Sequence, residues 1–519
     1  MVFAKAATRA PPGLRFAQYF CCKPGSPNVE SSYKAFILIS TFLAYTCYHM
    51  TRRPISVVKS VLHQDCRLAP PNPSVVVTVN NSKTWCDWAP FNDSDAHALL
   101  ATLDSVYLFS YAVCMFISGF VAERVHLRYF LALGMLLSAL TTHLFGLGYS
   151  LAIHSFSYYI VVQMLGGAFQ STGWPSVVTC VGNWFGKSKR GLIFGVWNAH
   201  TSVGNIIGAY VAGMFVEYNW GLSFVVPGAI FGVMAVLVVL FLAPYPEEVG
   251  CEPPRRGSRE SLLQASMSTA TGEVEDISCT PGDDGTLNSE EQALLESHFK
   301  KESEKKAVTF FAALSIPGVV DFSLALFFAK LVSYTFLFWL PLYIHASTHF
   351  DSANSAFLSS FFDYGGIAGG ILAGYISDRS GASALTCVLF LIMAVPTMFV
   401  YQAFGSISLA SNIVLQLVVG LLINGPYALI TTAVSAELGT HQSLSGSSKA
   451  LATVTAIIDG TGSLGAAVGP LLAGLILRYG WTSVFYMMMI SDLLAVICLL
   501  RITRREVWRL RLRETSSIN

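Results

Sequence analysis

Charged side chains stand inside stretches of the sequence that are otherwise apolar. Arg52 and Arg53 end one such run, Lys330 lies within the segment LFFAKLVSYTFLFW, and Asp363 and Asp459 interrupt two later runs. A charge at the centre of a membrane helix costs roughly 2.5–3.5 kcal/mol by insertion scales, so it needs a partner or an aqueous cavity. Two interpretations follow. Either the charges line an anion-binding cavity inside a membrane bundle, or the arginines snorkel to headgroups and the lysine forms a structural pair with an aspartate.

Composition indicates which elements carry these residues. Of the 519 residues, 53% are hydrophobic and only 12% are charged. Apolar runs of about 20 residues, long enough to span a bilayer, recur along the chain. This pattern predicts an all-α membrane protein with twelve transmembrane helices. The predicted spans are 34–55, 98–121, 129–149, 155–181, 190–215, 222–244, 316–345, 353–376, 383–403, 409–436, 447–476 and 482–502.

A polar break divides these helices into two groups of six. Residues 245–310 are rich in Ser, Glu, Lys and Gly, which predicts a disordered linker with one short helix near 289–306. The predicted organisation is therefore a cytosolic N-terminus, a first half with a lumenal loop after its first helix, the linker, a second half and a basic tail. The corresponding ranges are 1–33, 34–244, 57–97, 245–310, 311–502 and 503–519.

Basic residues accumulate on one side of this topology. The N-terminus, loops 2–3 and 4–5, the linker and the tail carry lysines and arginines, whereas loops 3–4, 5–6, 7–8 and 9–10 carry none. The positive-inside rule therefore predicts that both termini are cytosolic. The glycosylation sequons at Asn80 and Asn92 both fall in loop 57–97, on the opposite face. In that loop Cys66 and Cys86 are expected to pair if the compartment is oxidising, and two free thiols are the alternative.

The two predicted halves repeat each other. SVGNIIGAYVAG (202–213) matches SLGAAVGPLLAG (463–474) at an offset of 261 residues, and NWGLSF matches GWTSVF at the same offset. GFVAER (119–124) corresponds to GYISDR (374–379). Parallel six-helix repeats are a transporter design. The alternative is that small-residue patterns recur by chance in any helix bundle.

Several motifs resemble those of known transporters. GFVAERVHLR and GYISDRSG resemble the loop signature of the major facilitator superfamily. RGLIFGVWNAHTSVG (190–204) is similar to a signature of the organophosphate:phosphate antiporters, and QSTGWP and YHMTRRP resemble that family's fourth and first helices. The sequence is identified as a member of the sugar-phosphate exchangers, which are related to the glucose-6-phosphate transporter of the endoplasmic reticulum. The resemblance spans all twelve helices and implies the major facilitator fold.

The resemblance implies that Arg52 binds the substrate phosphate. A guanidinium suits that role because it is always protonated and meets phosphate oxygens two at a time. Arg53 is assigned to the interface, where it snorkels to headgroups. Bacterial relatives carry a second arginine at the position of Ser333, and Lys330 lies one turn earlier on nearly the same face. Lys330 is therefore predicted to be the second cation. Asp363 is expected to pair with Lys330 in the empty carrier and to release it to phosphate on loading, and a purely structural Lys–Asp pair is the alternative.

Two positions depart from the family pattern. A lysine of bacterial relatives is Met115 here, and their substrate-binding histidine corresponds to Thr201, with His200 one residue earlier. One step rotates a helical side chain by about 100°, so His200 either lines the site or faces elsewhere. Asp459 lies 261 residues after Asn198, and the repeat therefore predicts that both face the cavity. A helix–helix hydrogen bond is the alternative for Asp459.

Further side chains complete the predicted site. Those expected to hydrogen-bond or stack on the sugar, with interior packing as the alternative, are Tyr45, Tyr48, Gln170, Trp174, Asn198 and Asn424. The loop signatures imply a conformational latch, in which glycines allow close helix contact and acid–arginine pairs hold the cytosolic face, at Gly119, Glu123, Arg124, Gly374, Asp378 and Arg379. Other glycines of the eighth helix are interpreted as close-packing and hinge positions, namely Gly365, Gly366, Gly369 and Gly370.

The charges predict obligatory exchange. An empty cationic cavity resists closing, because unpaired charge would be trapped in a dry site. The expected activity is exchange of a sugar phosphate, glucose 6-phosphate first, for inorganic phosphate, in the endoplasmic reticulum or else at the cell surface. The alternatives are a facilitator of another organic anion or phosphate ester, and a non-transporting membrane receptor or scaffold whose linker is the active part.

No sequence pattern indicates catalysis or a cofactor. Walker, nucleophile-triad, metal-cluster and dinucleotide-binding patterns are absent from the sequence. The 32 basic and 31 acidic residues nearly balance, which gives no indication of nucleic-acid binding. We therefore expect a transporter, not an enzyme, that needs no metal or cofactor and whose partners are sugar phosphate, phosphate and the lipid bilayer.

Overall fold

A computed structural model describes residues 10–14, 29–63, 66, 85–93, 95–122, 124–185, 196–251, 313–348, 350–438 and 448–518. The helices of the first half are α1 (Val29–Arg52, resuming as Pro54–Leu62), α2 (Ala96–Ala122), α3 (Leu127–Ser150), α4 (Phe156–Gln170, resuming as Gly173–Trp184), α5 (His200–Phe215) and α6 (Leu222–Phe241). Those of the second half are α7 (Val319–Ser347), α8 (Ser352–Ser380), α9 (Ser383–Phe404), α10 (Leu409–Leu429, continuing to Leu438), α11 (Ser448–Ile476) and α12 (Trp481–Ile518).

The twelve predicted helices are confirmed. Nine of the described helices, α2, α3, α6 and α7 to α12, are long and apolar enough to cross a membrane by themselves. The other three are α1 and α4, which are interrupted, and α5, whose regular helix begins at His200. The protein is therefore an all-α, multi-pass membrane protein.

Several boundaries differ from the prediction. α1 continues to Leu62, beyond the predicted end of the first helix, because a proline is well tolerated at the first position of a helical segment and Pro54 opens the second one. α4 breaks around residues 171–172. α12 continues through the predicted tail to Ile518.

The predicted linker begins later than residue 245. Residues Pro246–Val249 form a short 3-10 turn, and the buried carboxylate of Glu248 lies 2.8 Å from His126 and 3.5 Å from Arg128 at the start of α3. These contacts hold the chain through residue 251, so the prediction of disorder there is wrong. The rest of the predicted linker lies outside the described residues.

Packing follows the repeat. In the first half α1 packs on α5, α2 on α4 and α3 on α6; in the second half α7 packs on α11, α8 on α10 and α9 on α12. Each pair has its counterpart six helices later. The main contacts between the halves, α2 with α11 and α5 with α8, are related in the same way. The structure therefore consists of two pseudo-symmetric six-helix halves.

Glycines allow two helix pairs of the second half to approach closely. A Cβ at Gly365 or Gly369 of α8 would lie 2.1 Å from a backbone oxygen of α10, and one at Gly465 of α11 would lie 1.9 Å from the carbonyl oxygen of Phe327. The close-packing interpretation is confirmed for α8. At Gly119 and Gly374 a Cβ would meet no described atom within 4 Å, and the close contact expected at these two glycines of the latch stays a prediction.

Candidate substrate site

The break in α1 turns two neighbouring arginines in different directions. Pro54 has no N–H, so it cannot bond the Met50 carbonyl of the preceding turn. Gly208 of α5 packs against this point, where a Cβ would lie 2.6 Å from the Met50 oxygen. Arg52 and Arg53 are both buried, with 4% and 1% of their surface exposed. Arg52 faces α2 and α4, whereas Arg53 faces α7 and α8 of the other half.

Arg52 has an unused hydrogen-bond donor. Its Nε donates to Gln170 at 2.7 Å, and Gln170 in turn donates to Thr51 at 2.9 Å. The guanidinium carbon lies 4.6 Å from the ring centre of Tyr111. The Nη2 atom is buried and meets no described acceptor with good hydrogen-bond geometry, although the Tyr107 hydroxyl lies near the guanidinium. Because an unpaired buried donor on a charged group is costly, this atom is available to an anionic ligand.

Lys330 is the second buried cation. Its Nζ donates to Asp459 of α11 at 2.7 Å and lies 5.5 Å from the ring centre of Tyr427. Gly462 makes room for the lysine, since a Cβ there would lie 3.0 Å from the Lys330 Cδ. The predicted pairing of Lys330 with Asp363 is wrong, because Lys330 lies against α11 and Asp363 is bonded elsewhere. The alternative reading of Asp459 as a helix–helix hydrogen-bond partner describes its contact in this structure.

Asp363 is bonded across the two halves instead. Its Oδ1 accepts from Asn205 of α5 at 2.9 Å, and its Oδ2 lies 4.0 Å from Arg53. Arg53 also donates to the Leu337 carbonyl at 2.5 Å and to the Ser359 hydroxyl at 2.6 Å. All of these partners lie inside the bundle, so the prediction that Arg53 snorkels to headgroups is wrong.

Two tyrosines lie within electrostatic range of the buried cations of both halves. Tyr111 of α2 and Tyr334 of α7 each lie near enough to both Arg52 and Lys330 for electrostatic interaction. Arg52 belongs to α1 and Lys330 to α7, which are equivalent helices of the repeat. Each half therefore contributes one cation to a common, tyrosine-lined centre.

A polar cavity lies beside this centre. The predicted residues Asn198 in the turn before α5, Asp363 of α8 and Asn424 of α10 all line it. Ser333 lines it as well and donates to the Asn424 amide oxygen at 2.7 Å. Amide and hydroxyl groups of this kind hydrogen-bond sugar hydroxyls. The remaining polar lining residues are His49, Thr201, Ser202, Asn205, Tyr334 and Tyr427.

Other predicted residues pack behind the cavity. The His200 ring is fully buried with its centre 4.7 Å from that of Tyr45. The ring centres of Trp174 and Tyr48 each lie 5.3 Å from that of Tyr45, so these residues form one aromatic cluster within the first half. Thr201, one residue after His200, lines the cavity instead. The structure therefore separates these aromatic residues from Asn198 and Asn424.

The sequence analysis missed some lining residues. His49 lies three residues before Arg52 on α1, and Asn205 of α5 lies seven residues after Asn198, which stands in the turn before that helix. Helical spacings of three and seven keep side chains on one face. The spacing of His49 and Asn205 from residues already singled out could therefore have identified them as lining residues.

The predicted latch is described only in part. Arg379 donates to Tyr375 at 2.9 Å, and no ion pair of Asp378 is found within the described part of the chain. Arg124 makes a contact of its own, and Glu123 lies outside the described residues. The latch stays a prediction.

The loop after α1 carries a disulfide. Cys66 and Cys86 are bonded, as predicted, with their Cα atoms 5.4 Å apart. With Asp87 they form the only cysteine, histidine and carboxylate group close enough for a metal ion within the described part of the chain, but both sulfurs are engaged in the disulfide. The sequon residue Asn92 is described and partly exposed, and Asn80 lies outside the described residues.

Comparison with known proteins identifies the family. The model of the Major Facilitator Superfamily matches residues 41–452. Glucose-6-phosphate exchanger SLC37A2 of Bos taurus is 53% identical over 92% of this chain and 95% of its own length. The SLC37A2 protein of Homo sapiens is 52% identical over 96% of this chain and 97% of its own length. Glucose-6-phosphate exchanger SLC37A1 of Mus musculus is 47% identical over 96% of each.

The chain belongs to the sugar-phosphate exchanger family of the Major Facilitator Superfamily. This exchanger-family protein also shares its fold with a bacterial homologue of the human lysosomal transporter Spinster, solved in an inward-facing, occupied conformation. The TM-score is 0.58 at 15% identity, with 94% of this chain and 99% of that chain covered. That likeness shows the fold alone. The substrate of this family member is therefore inferred from the site itself and from the more similar relatives.

Proposed function

We propose that this protein exchanges a sugar phosphate, glucose 6-phosphate first, for inorganic phosphate by alternating access, without chemical change of either substrate. The observation that carries the proposal is the pair of buried cations, Arg52 and Lys330, one from each half. A phosphate held by both cations connects the halves, and the free Arg52 Nη2 atom is a donor directed to such an anion. The names of the relatives, at about half identity, support glucose 6-phosphate as the ester.

The charges of the described core favour obligatory exchange. Of the cations buried on α1 and α7, Arg53, Lys59 and Lys330 lie at ion-pair distance of the carboxylates of Asp363, Asp104 and Asp459, respectively. Arg52 is the cation of this group without a carboxylate at ion-pair distance among the described residues. Closing the empty site would bury that charge uncompensated, which is unfavourable. A bound phosphate monoanion cancels it, so closure is easier for the loaded carrier.

The sugar then occupies the polar cavity between the halves. Asn198 and Asn205 approach from the turn before α5 and from α5 itself, and Ser333 and Asn424 approach from α7 and α10. Neutral amides and hydroxyls bind sugar hydroxyls without adding charge. They also allow inorganic phosphate, which lacks the sugar, to bind at the same cations and compete with the ester.

Exchange in liposomes tests the proposal. Purified protein is reconstituted in liposomes loaded with phosphate, and labelled glucose 6-phosphate is added outside. We expect uptake that requires internal phosphate and that is inhibited by millimolar external phosphate. Liposomes loaded with chloride and empty liposomes are the controls. Uptake by the protein that is equally fast without internal phosphate would contradict obligatory exchange, and no uptake would exclude glucose 6-phosphate.

One observation favours a second candidate function. Lys330 is already bonded to Asp459, so among the buried cations that the structure describes on α1 and α7, Arg52 alone has no carboxylate partner, which suits a facilitator of another organic anion. Such a facilitator should carry a labelled monocarboxylate or another phosphate ester down its gradient, insensitive to phosphate on the opposite side. The same liposomes distinguish the two functions.

We further propose the endoplasmic reticulum membrane as the location, with both termini cytosolic. The basic loops and the opposite position of both sequons support this orientation. We expect endoglycosidase H to shift the protein on a gel. Asn80→Gln and Asn92→Gln should each remove one glycan and so reduce the size of that shift. A glycan resistant to this enzyme would instead indicate the cell surface, and no glycan on either asparagine would contradict the orientation.

A further inference from the structure

A third buried cation of α1 lies beyond the proposed site, toward the bundle face that carries the loop between α1 and α2, here termed the loop-1 face. Lys59 has no exposed surface and forms an ion pair with Asp104 of α2. Its Nζ also donates to the Phe338 carbonyl of α7 at 3.1 Å and lies 4.0 Å from the ring centre of Trp339. One lysine thus bonds a carboxylate in its own half and a backbone oxygen in the other half.

Pro341 leaves one backbone acceptor of α7 without its usual helical donor at this point. A proline inside a helix lacks the N–H that would bond the carbonyl four residues earlier, which here is that of Leu337. Arg53 donates to this carbonyl, and Lys59 donates to the next one, that of Phe338. Two cations of α1 therefore supply hydrogen bonds to consecutive carbonyls just before the proline of α7.

Other contacts close the same face. A Cβ at Gly474 of α11 would lie 2.3 Å from the Ala101 Cβ of α2. Tyr210 of α5 stacks on Phe357 of α8 with ring centres 5.0 Å apart. The first and second halves therefore meet at the loop-1 face, and Lys59 lies within that meeting surface.

We propose that Lys59 is a positioning residue that holds the loop-1 face closed, through a clasp formed by Arg53 and Lys59 of α1 with Leu337, Phe338 and Trp339 of α7. Alternating access requires the halves to separate at this face. Lys59 then loses the Phe338 carbonyl and the Trp339 ring, which belong to the second half. It keeps Asp104, which moves with the first half.

This arrangement makes the clasp reversible. An unpaired buried charge would be costly in either conformation, but the lysine retains its carboxylate in both. Only the hydrogen bond and the cation–π contact are made and broken. Arg53 differs, since its nearest carboxylate, Asp363, lies in the other half. Lys59 is therefore the cation of α1 that can contribute to closure without becoming uncompensated on opening.

The test separates the clasp from the ion pair. Lys59→Met alone leaves Asp104 buried without a partner and endangers folding, so it is combined with Asp104→Asn, which removes both charges together. The reporter is Ser105→Cys. Ser105 is a buried residue of α2 whose hydroxyl donates across the halves to the Ala467 carbonyl at 3.0 Å. A water-soluble thiol reagent labels the full-length purified protein, and mass spectrometry measures the labelling of each cysteine.

We expect Cys labelling at position 105 to be about tenfold faster in the Lys59→Met/Asp104→Asn background than with Ser105→Cys alone, the effect of one lost hydrogen bond to a charged group. Native Cys387, fully buried in α9, should label at an unchanged rate. An unchanged rate at position 105 would overturn the proposal and leave Lys59 as the partner of Asp104 alone. An equal increase at Cys387 would also overturn it, because it would mean general loosening of the protein.

Pro341→Ala provides a second variant that buries no charge. Residue 341 then has an N–H for the Leu337 carbonyl, which competes with Arg53 for that acceptor. We expect faster labelling at position 105 here too, and an unchanged rate would contradict the clasp. The proposal rests on alternating access, but the labelling needs no substrate. Failure of sugar-phosphate exchange therefore leaves the test of the clasp intact.

Discussion

Exchange is expected to fall by at least about 100-fold when Arg52 is replaced by alanine, since two hydrogen bonds to a charged group are lost, each worth about 1.5–3 kcal/mol. Arg52 is the buried cation with a free Nη2 atom and without a carboxylate at ion-pair distance among the described residues. Its loss removes the charge that makes the empty carrier resist closing. The measurement is phosphate-dependent uptake of labelled glucose 6-phosphate in liposomes.

Two further variants show whether that loss comes from the phosphate contact of Arg52. Arg52→Lys keeps the charge and loses the planar fork, so we expect an intermediate loss of about tenfold. Arg501→Ala is the matched control, because that arginine is exposed and pairs with Asp321 outside the site. Uptake by Arg52→Ala protein near that of the control, at equal thermal stability, would exclude Arg52 as the phosphate ligand.

The second large effect is expected at Lys330, measured with its partner. Lys330→Ala alone leaves Asp459 buried and unpaired, so loss of activity could come from misfolding. The double variant Lys330→Met/Asp459→Asn removes both charges. We expect the double variant to fold. If Lys330 binds phosphate, uptake by this variant still falls by about tenfold, because one hydrogen bond to a charged group is lost.

Recovery of exchange in the double variant would contradict a binding role and make the Lys330–Asp459 pair structural. Asp459→Asn alone gives an independent indication. It frees the ammonium group for the substrate, so we expect a lower KM for phosphate. Turnover should be slower, because the substrate is then released less readily. An unchanged KM for phosphate would argue against phosphate contact with Lys330.

Sequence alone singled out the charges inside the bundle but could not reveal how they pair. Arg52, Lys330, Asp363 and Asp459 stand out because a charge in an apolar run is costly wherever it faces. Partners depend on the rotation of each helix and on which helices touch. Because α7 packs on α11, Lys330 donates a hydrogen bond to Asp459. Because α5 packs on α8, Asp363 accepts a hydrogen bond from Asn205.

The assignment of Arg53 failed for a related reason. A basic residue at the end of an apolar run suits an interface, and the sequence contains no sign that α1 resumes after Pro54 and continues to Leu62. That continuation places Arg53 inside the bundle. Its acceptor, the Leu337 carbonyl, is available because of Pro341 on a different helix. Side-chain motifs do not encode a backbone acceptor created by a distant proline.

The one-residue ambiguity at His200 was resolved by the rotation of α5. The position that corresponds to the family's histidine, Thr201, lines the cavity, and His200 packs against Tyr45. An imidazole nevertheless reaches the cavity, from His49 on α1. A histidine one helix away could not be identified from a motif written for α5.

The last helix has a consequence for observing the protein at work. α12 runs without a break from Trp481 to Ile518, a rod of about 57 Å at 1.5 Å per residue. Its buried Glu506 accepts from the N–H groups of Ala384 and Leu385 at the start of α9, which fixes the rod to its own half. A fluorophore or spin label attached near the end of this rod would therefore turn with the second half. The signal of such a label would report how the second half tilts during each transport cycle.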